Sequence, residues 1–209
     1  AQGDTVIKEQ IPSRDHTERM LKAMGAEIKI AGDTITVSPS RLKAIDVTVP
    51  GDISSAAFWL VAGAIHPKAV IRLRNVGVNP TRSGILDVLN SMGARLGLEN
   101  ERVVSGEPVA EMKVQSSHLT GIEISGELIP RVIDEIPLVA VAASVARGET
   151  VIRDAQELRV KETDRISATV KELSKLGADI HELPDGMIIR GVKNLRGAAC
   201  DSHGDHRLA

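Results

Sequence analysis

The chain repeats itself, and the repeat limits its fold more than any single motif does. Three segments follow one plan: "DHTERMLKAMGAEIKIAGDTITV" (15–37), "TRSGILDVLNSMGARLGLENERVV" (81–104) and "TDRISATVKELSKLGADIHELPDGMIIRG" (163–191). Each opens with polar residues suited to cap a helix and continues with apolar residues at helical spacing: Met20 and Met24; Ile85, Leu89 and Met92; Ile166, Val170 and Leu173. Each periodic stretch ends at a glycine followed by alanine (Gly25, Gly93, Gly177), the pattern of a helix closed by a left-handed residue. Alternating residues then predict a hairpin, turning at "AGD", "LEN" and "PDG". The glycines lie too far apart for one turn of a solenoid and suit a unit of several elements.

A second helix belongs to the same unit. "GDISSAAFWLVAGAIHPKAVIRLRNV" and "IDEIPLVAVAASVARGETVIRDAQEL" each give an acidic start, a small-residue apolar helix, a turn and a strand, with Asp52 and Asp134 in matching places. Ser54 and Ser55 read as the N-cap of the first of these helices, and "GDHRLA" (204–209) as the opening of a further copy. Helices rich in Ala, Val and Gly are apolar on too many sides to lie on a surface. The expected architecture is therefore α/β, with these helices inside and sheets packed around them. One Phe, one Trp and no Tyr leave the core to Val, Ile, Leu, Ala and Met.

The same composition excludes some functions. With so few aromatic side chains there is no platform for stacking single-stranded bases, and a net charge of −2 gives no general attraction to polyanions. The longest nearly apolar runs, 56–65 and 138–146, fall short of the roughly 20 residues of a membrane span. Cys200 is the sole cysteine, so no disulfide can form within the chain and a reducing compartment is expected. The chain starts without Met or a signal pattern and stops within "GDHRLA". It reads as a piece of a longer protein.

Arginine recurs where helices open: Arg14, Arg82, Arg165 and Arg207. A cation there opposes the helix dipole by about 0.3–1 kcal/mol. Either these arginines and nearby free N–H groups hold an external anion such as phosphate or carboxylate, or they pair with Asp15, Asp164 and Asp205. The densest such stretch is "RVKETDR" (159–165), five charges in seven residues.

Together, "ELRVKETDRI", "PGDISSAAF", "NPTRSG", "PSRDHTERM", "IDEIP" and "GDHRLA" resemble the 5-enolpyruvylshikimate-3-phosphate (EPSP) synthase family along the whole chain, over roughly the middle to C-terminal part of the family's length. The resemblance implies the enolpyruvyl transferase fold: two domains of repeated βαβαββ units, helices inside and sheets outside. Residues 1–49 would end the shikimate-3-phosphate-binding domain and 50–209 form most of the second, both incomplete, with the crossover near 50–52. It also implies a cytoplasmic enzyme, with no metal or organic cofactor and no nucleic-acid or membrane partner. That enzyme moves the enolpyruvyl group of phosphoenolpyruvate to the 5-hydroxyl of shikimate 3-phosphate, and the missing N-terminal half of the same protein is the chain's expected partner.

Residue roles follow from the resemblance alone. Glu162 would protonate the enol methylene and later take a proton back from the tetrahedral intermediate. Lys161 would contact both substrates near the reacting oxygen, and Asp134 would bind ring hydroxyls and act as base toward the 5-hydroxyl. Arg165 and Arg207 fit a clamp on phosphoenolpyruvate, and Arg14 a contact to shikimate 3-phosphate. Asp205 and His206 share the "GDHRLA" segment, and His206 would be a further substrate-binding residue. Glu162 has a cation on either side, so a donor role there needs burial or bound anions to offset them. Two other readings stand beside this one. UDP-N-acetylglucosamine enolpyruvyl transferase shares the fold but commonly uses a loop cysteine, and Cys200 in "LRGAACDSHGD" lies outside such a loop. The chain could also be a non-catalytic binding or folding unit.

Overall fold

The computed structural model describes residues 2–9, 11 and 13–209. Three sheets follow one another along the chain. The first contains β1 (Thr5–Lys8), then α1 (His16–Ala23) and the hairpin β2 (Ile28–Ala31) and β3 (Thr34–Val37), in the order β1-β3-β2. The second follows α2 (Ile53–Ile65): β4 (Val70–Gly77), α3 (Gly84–Ser91), β5 (Arg95–Val104) and β6 (Glu107–Gln115), in the order β4-β6-β5. The third holds β7 (Glu123–Ile124), the short α4 (Ile129–Val132), α5 (Ile136–Ala143), β8 (Glu149–Ile152), α6 (Arg165–Lys175), β9 (Asp179–Leu183) and β10 (Gly186–Arg190), in the order β7-β8-β10-β9.

One pass of strand, helix and antiparallel hairpin thus occurs three times, always with the last strand in the middle of its trio. In the last two it is preceded by a parallel partner, β7 on β8 and a single bridge from Gly51 to Val76, with α5 or α2 in between. Each of these units reads βαβαββ. The helix ends are built alike. Gly25, Gly93 and Gly177 have φ of 93°, 86° and 85°. The N–H of the alanine after each donates five residues back, to Leu21, Leu89 and Leu173, at 2.9, 2.9 and 3.1 Å. This is the Schellman closure that the Gly-Ala pairs predict.

Two hairpins turn where expected, at Gly32–Asp33 and Pro184–Asp185. The third does not turn at "LEN". There β5 continues through a bulge between Glu99 and Arg102, with Asn100 at φ 53°, and the chain reverses at Ser105–Gly106, φ 52° and 85°. Two successive positive φ values are those of a type I′ two-residue hairpin; a single one at an Asn suits a bulge. The N-cap of α2 also differs from expectation: Asp52, extended at φ −74° and ψ 127°, accepts the Ser55 N–H at 2.9 Å, and Ser54 turns inward and is buried. "GDHRLA" forms turns and no helix.

The core runs from Ile53 to Ile189. α2 and α5 lie inside it, pressed against the sheets. A Cβ added at Gly63 would sit 2.5 Å from Val114 Cγ1 of β6, so α2 can lie this close only with glycine there. Among the described residues, no helix is long and apolar enough to cross a membrane.

Candidate active site

α6 begins at Arg165 because Asp164 caps it, accepting the N–H groups of Ile166 and Ser167 at 3.1 and 3.0 Å. Arg159 locks this start to the β9–β10 hairpin. Its guanidinium donates to Asp164 Oδ2 (2.8 Å), Pro184 O (2.7 Å) and Leu183 O (2.6 Å), and lies 2.8 Å from Glu182. The first arginine of "RVKETDR" is therefore scaffold. The second is the centre of a charge cluster.

Arg165 is 2% exposed. It donates from Nε to Asp205 Oδ2 at 2.7 Å, from Nη1 to Asp134 Oδ1 at 3.3 Å, and from Nη2 to Glu162 Oε2 at 2.5 Å and Asp205 Oδ1 at 3.2 Å. A buried guanidinium is tolerated when its donors are met in this way. Asp134 in turn accepts from Arg14 Nη2 at 2.5 Å, and Arg207 Nη2 lies 3.9 Å from it. Three arginines from well-separated stretches of chain thus converge on one carboxylate. The alternative pairs Arg14–Asp15 and Arg165–Asp164 do not form: Asp15 bonds Arg19 (2.9 Å), while Asp164 is spent on its helix start and Arg159. Of the four helix-opening arginines, Arg82 stands apart from this cluster, on Asp52 and Ser54.

The electrostatics follow from these contacts. Burial alone would raise the Asp134 carboxyl, but the Arg14 hydrogen bond and the charges of Arg14, Arg207 and Lys161 hold it below the usual carboxylate value. Asp205 is lowered in the same way, against burial, by Arg165. Glu162 is the open member: its side chain is 51% exposed, with one oxygen on Arg165. Lys161 turns to Glu157, and Val160 between them and Arg159 faces solvent. Arg207 keeps its Nε–H buried without a hydrogen-bond partner among the described residues. His206 is not drawn in; its side chain is 65% exposed and 4.0 Å from Asp205. Cys200 lies on the surface beside Glu172 of α6.

A second polar group links α1 to the β4–α3 and β5–β6 turns. Asn79 donates to Asp15 at 2.7 Å and Glu107 at 3.0 Å, and His16 Nδ1 lies 2.8 Å from Glu107. Asn79, His16 and Glu107 border a cleft of about 350 Å³ at the 47–53 connection. Sequence reasoning missed Asn79, His16 and Glu107. The Asn that opens "NPTRSG" was the one available signal, since an Asn needs partners once it is buried.

A family model described as EPSP synthase (3-phosphoshikimate 1-carboxyvinyltransferase) matches residues 1–209. The chain is 57% identical over 210 residues to the 3-phosphoshikimate 1-carboxyvinyltransferase of Desulforudis audaxviator, covering 100% of this chain and 49% of that protein. It is 56% identical to that of Gloeobacter violaceus, with the same coverage. An EPSP synthase structure from Acinetobacter baumannii superposes with a TM-score of 0.93 at 42% identity, over 100% of this chain and 49% of that one. The enolpyruvyl transferase NikO from Streptomyces tendae, at 24% identity, TM-score 0.69 and coverage of 91% and 43%, shares the fold. The chain spans about half the length of the curated relatives it matches. Helices inside, sheets outside and the repeated βαβαββ unit are the enolpyruvyl transferase fold, and the chain belongs to the EPSP synthase (3-phosphoshikimate 1-carboxyvinyltransferase) family.

Proposed function

We propose that the chain is the middle to C-terminal part of a cytoplasmic enzyme that transfers the enolpyruvyl group of phosphoenolpyruvate to the 5-hydroxyl of shikimate 3-phosphate. In this reading residues 1–49 close the shikimate-3-phosphate domain, 50–209 belong to the second domain, and the crossover lies near 50–52. The observation that carries it is the buried Arg165, which gathers Glu162, Asp134 and Asp205 on one guanidinium while Arg14 and Arg207 converge on Asp134.

The reaction needs groups of these kinds. The 5-hydroxyl oxygen bonds to C2 of the enol while its proton goes to a base and the methylene gains a proton. The methyl group then returns one proton as the C2–O bond to phosphate breaks. Asp134, ionised and held in place, is the base toward the hydroxyl. Glu162, half exposed, is the carboxyl that can meet the methylene. Anion binding falls to Arg165 and Arg207, with Lys161 near the reacting oxygen and Arg14 reaching shikimate 3-phosphate. The unpartnered Arg207 Nε–H supports the clamp, since a buried free donor favours an incoming anionic oxygen. Glu162 must leave Arg165 when substrate arrives, which frees a guanidinium nitrogen for the substrate and the carboxyl for a proton. His206, turned outward, has no reacting atom to touch in this reading.

The test is phosphate release by the full-length enzyme. Glu162→Gln should lower turnover by about 10²-fold or more and leave shikimate 3-phosphate binding within a few-fold. Near-normal turnover would remove Glu162 from the mechanism.

A further inference from the structure

The carboxyl next in sequence to Asp134 points the other way. Glu135 is 3% exposed, and its Oε1 accepts a hydrogen bond from the hydroxyl of the fully buried Ser54. It directly precedes α5 yet makes no side-chain bond to the helix start. Ser54 Oγ accepts from Arg82 Nη2 at 2.6 Å, and the same nitrogen reaches Asp52 Oδ1 at 3.2 Å. The first turn of α2, the entry to α3 and the 3-10 turn Ile133–Glu135 therefore meet at one hydroxyl. Burial, with the Asp134 charge adding to it, raises the Glu135 carboxyl above its usual value despite the Ser54 bond. A carboxyl in such a place costs stability unless it is hydrogen-bonded, and the proposed roles leave it unused.

The turn geometry gives it a use. Side chains of successive residues in a 3-10 turn leave the axis about 120° apart. Fixing Glu135 toward Ser54 therefore directs Asp134 away from the core, toward Arg14 and Arg165. We infer that Glu135 is a positioning residue for the transfer reaction: anchored by Ser54, and through Ser54 by Arg82, it aims the Asp134 carboxylate at the arginines. This rests on the function proposed above. The single Ser54 proton is spent on Glu135, because the Ser54 oxygen already accepts from Arg82. The anchor thus needs an acceptor at Glu135 and no negative charge.

Five variants of the full-length enzyme test it by steady-state phosphate release: Glu135→Gln, Glu135→Leu, Ser54→Ala, and Asp134→Asn alone and combined with Glu135→Leu. Glu135→Gln keeps the acceptor, and its kcat should stay within about threefold of wild type; Glu135→Leu and Ser54→Ala lose the anchor, and kcat should fall about tenfold or more. In the Asp134→Asn background, Glu135→Leu should cost nothing further, because the residue it aims is already disabled. A purely structural role would cost the same in both backgrounds. Normal kcat in Glu135→Leu and Ser54→Ala, a Gln variant as poor as the Leu variant, or an undiminished loss in the Asp134→Asn background would each overturn the inference. If Glu135→Leu does not fold, Ser54→Ala takes its place in both backgrounds. An inactive wild type would sink the proposed function itself, whereas an active wild type with indifferent variants sinks only this inference.

Discussion

Residues 2–49 and 50–209 contain the same pass of strand, helix and hairpin, in the same strand order, and differ in what covers it. In the second region α3 buries Ile85, Val88 and Leu89 completely. In the first, α1 buries no residue, β1 is exposed throughout, and Ile35 is the one buried hydrophobic residue among those described. The helix-closing glycines are equally good in both, so local sequence sets the shape of the unit while burial depends on its neighbours. The contacts joining the regions are mostly polar: Arg14 to Asp134, Asp15 to Asn79, His16 to Glu107, and Thr48 N–H to Ser105 Oγ at 3.0 Å. Such a junction suits two bodies that move relative to each other, as the proposed function would require.

The strongest way to break this comparison is to assay the 209-residue chain by itself. Its exposed first region brings Arg14 to the cluster with little behind it, and the chain spans about half of its relatives' length. No phosphate release should be detectable. Losing several charge-assisted hydrogen bonds to a phosphate, each worth about 1.5–3 kcal/mol, turns micromolar binding into millimolar or none. Turnover near the full-length level would mean that the cleft is already complete.

Two arginines on Asp134, one from each region, give the next contrast. Arg165→Met leaves the buried Asp205 carboxylate without its cation and should cost about 3–5 kcal/mol in urea unfolding of the chain. Arg14, 42% exposed, makes a surface pair, and Arg14→Met should cost about 0–1 kcal/mol. Equal losses would show that the two regions share one core.

A smaller gap should appear between apolar positions of the two corresponding helices. Leu89→Ala in α3 empties a fully buried site and should cost about 2–5 kcal/mol. Met20→Ala in α1, where the side chain is 47% exposed, should stay within about 0.5 kcal/mol. A large Met20 effect would mean that α1 is covered in solution.

These contrasts explain what could be read in advance. The repeat, its helices and their glycine ends were legible because each rests on local chemistry. The "LEN" turn was misplaced because Asn100 and Ser105–Gly106 both take positive φ, and only the register with β6 shows which one reverses the chain. "RVKETDR" pointed to the cluster, yet sequence could not divide its labour between Arg159, which holds the β9–β10 hairpin, and Arg165, which holds the carboxylates. Nor could it find Ser54 and Glu135, which are 81 positions apart and meet only after α2 and α5 have packed. The expected N-cap role of Ser54 followed from its type, but Asp52 two positions earlier had already filled it.

The smallest effect concerns a stretch that has neither sheet nor core. Residues 192–209 contain no helix or strand; besides the Arg165–Asp205 pair, a second carboxylate of α6 gathers the 201–203 part of this stretch. Glu172 accepts from Lys175 Nζ at 2.6 Å and the Asp201 N–H at 3.0 Å, and lies 3.0 Å from His203 Nε2. The Lys175 hydrogen bond first, then those of Asp201 and His203, bring its carboxyl from 4.5 down to about 2. A folded-state value below the unfolded one stabilises the docked form above about pH 4.5, and that contribution fades as pH falls toward 2. Protection of the Asp201 amide against hydrogen exchange should therefore decline as pH drops from about 6 to about 3. The Val192 amide, bonded to the Ser144 carbonyl at 2.9 Å, involves no titrating side chain and should hold better over that range. In Glu172→Gln the Asp201 amide should already be poorly protected at neutral pH, with the global unfolding midpoint nearly unchanged. Asp201 protection that ignores both acid and the substitution would show that the tail's other contacts hold it, and the Glu172 tether would then count for nothing.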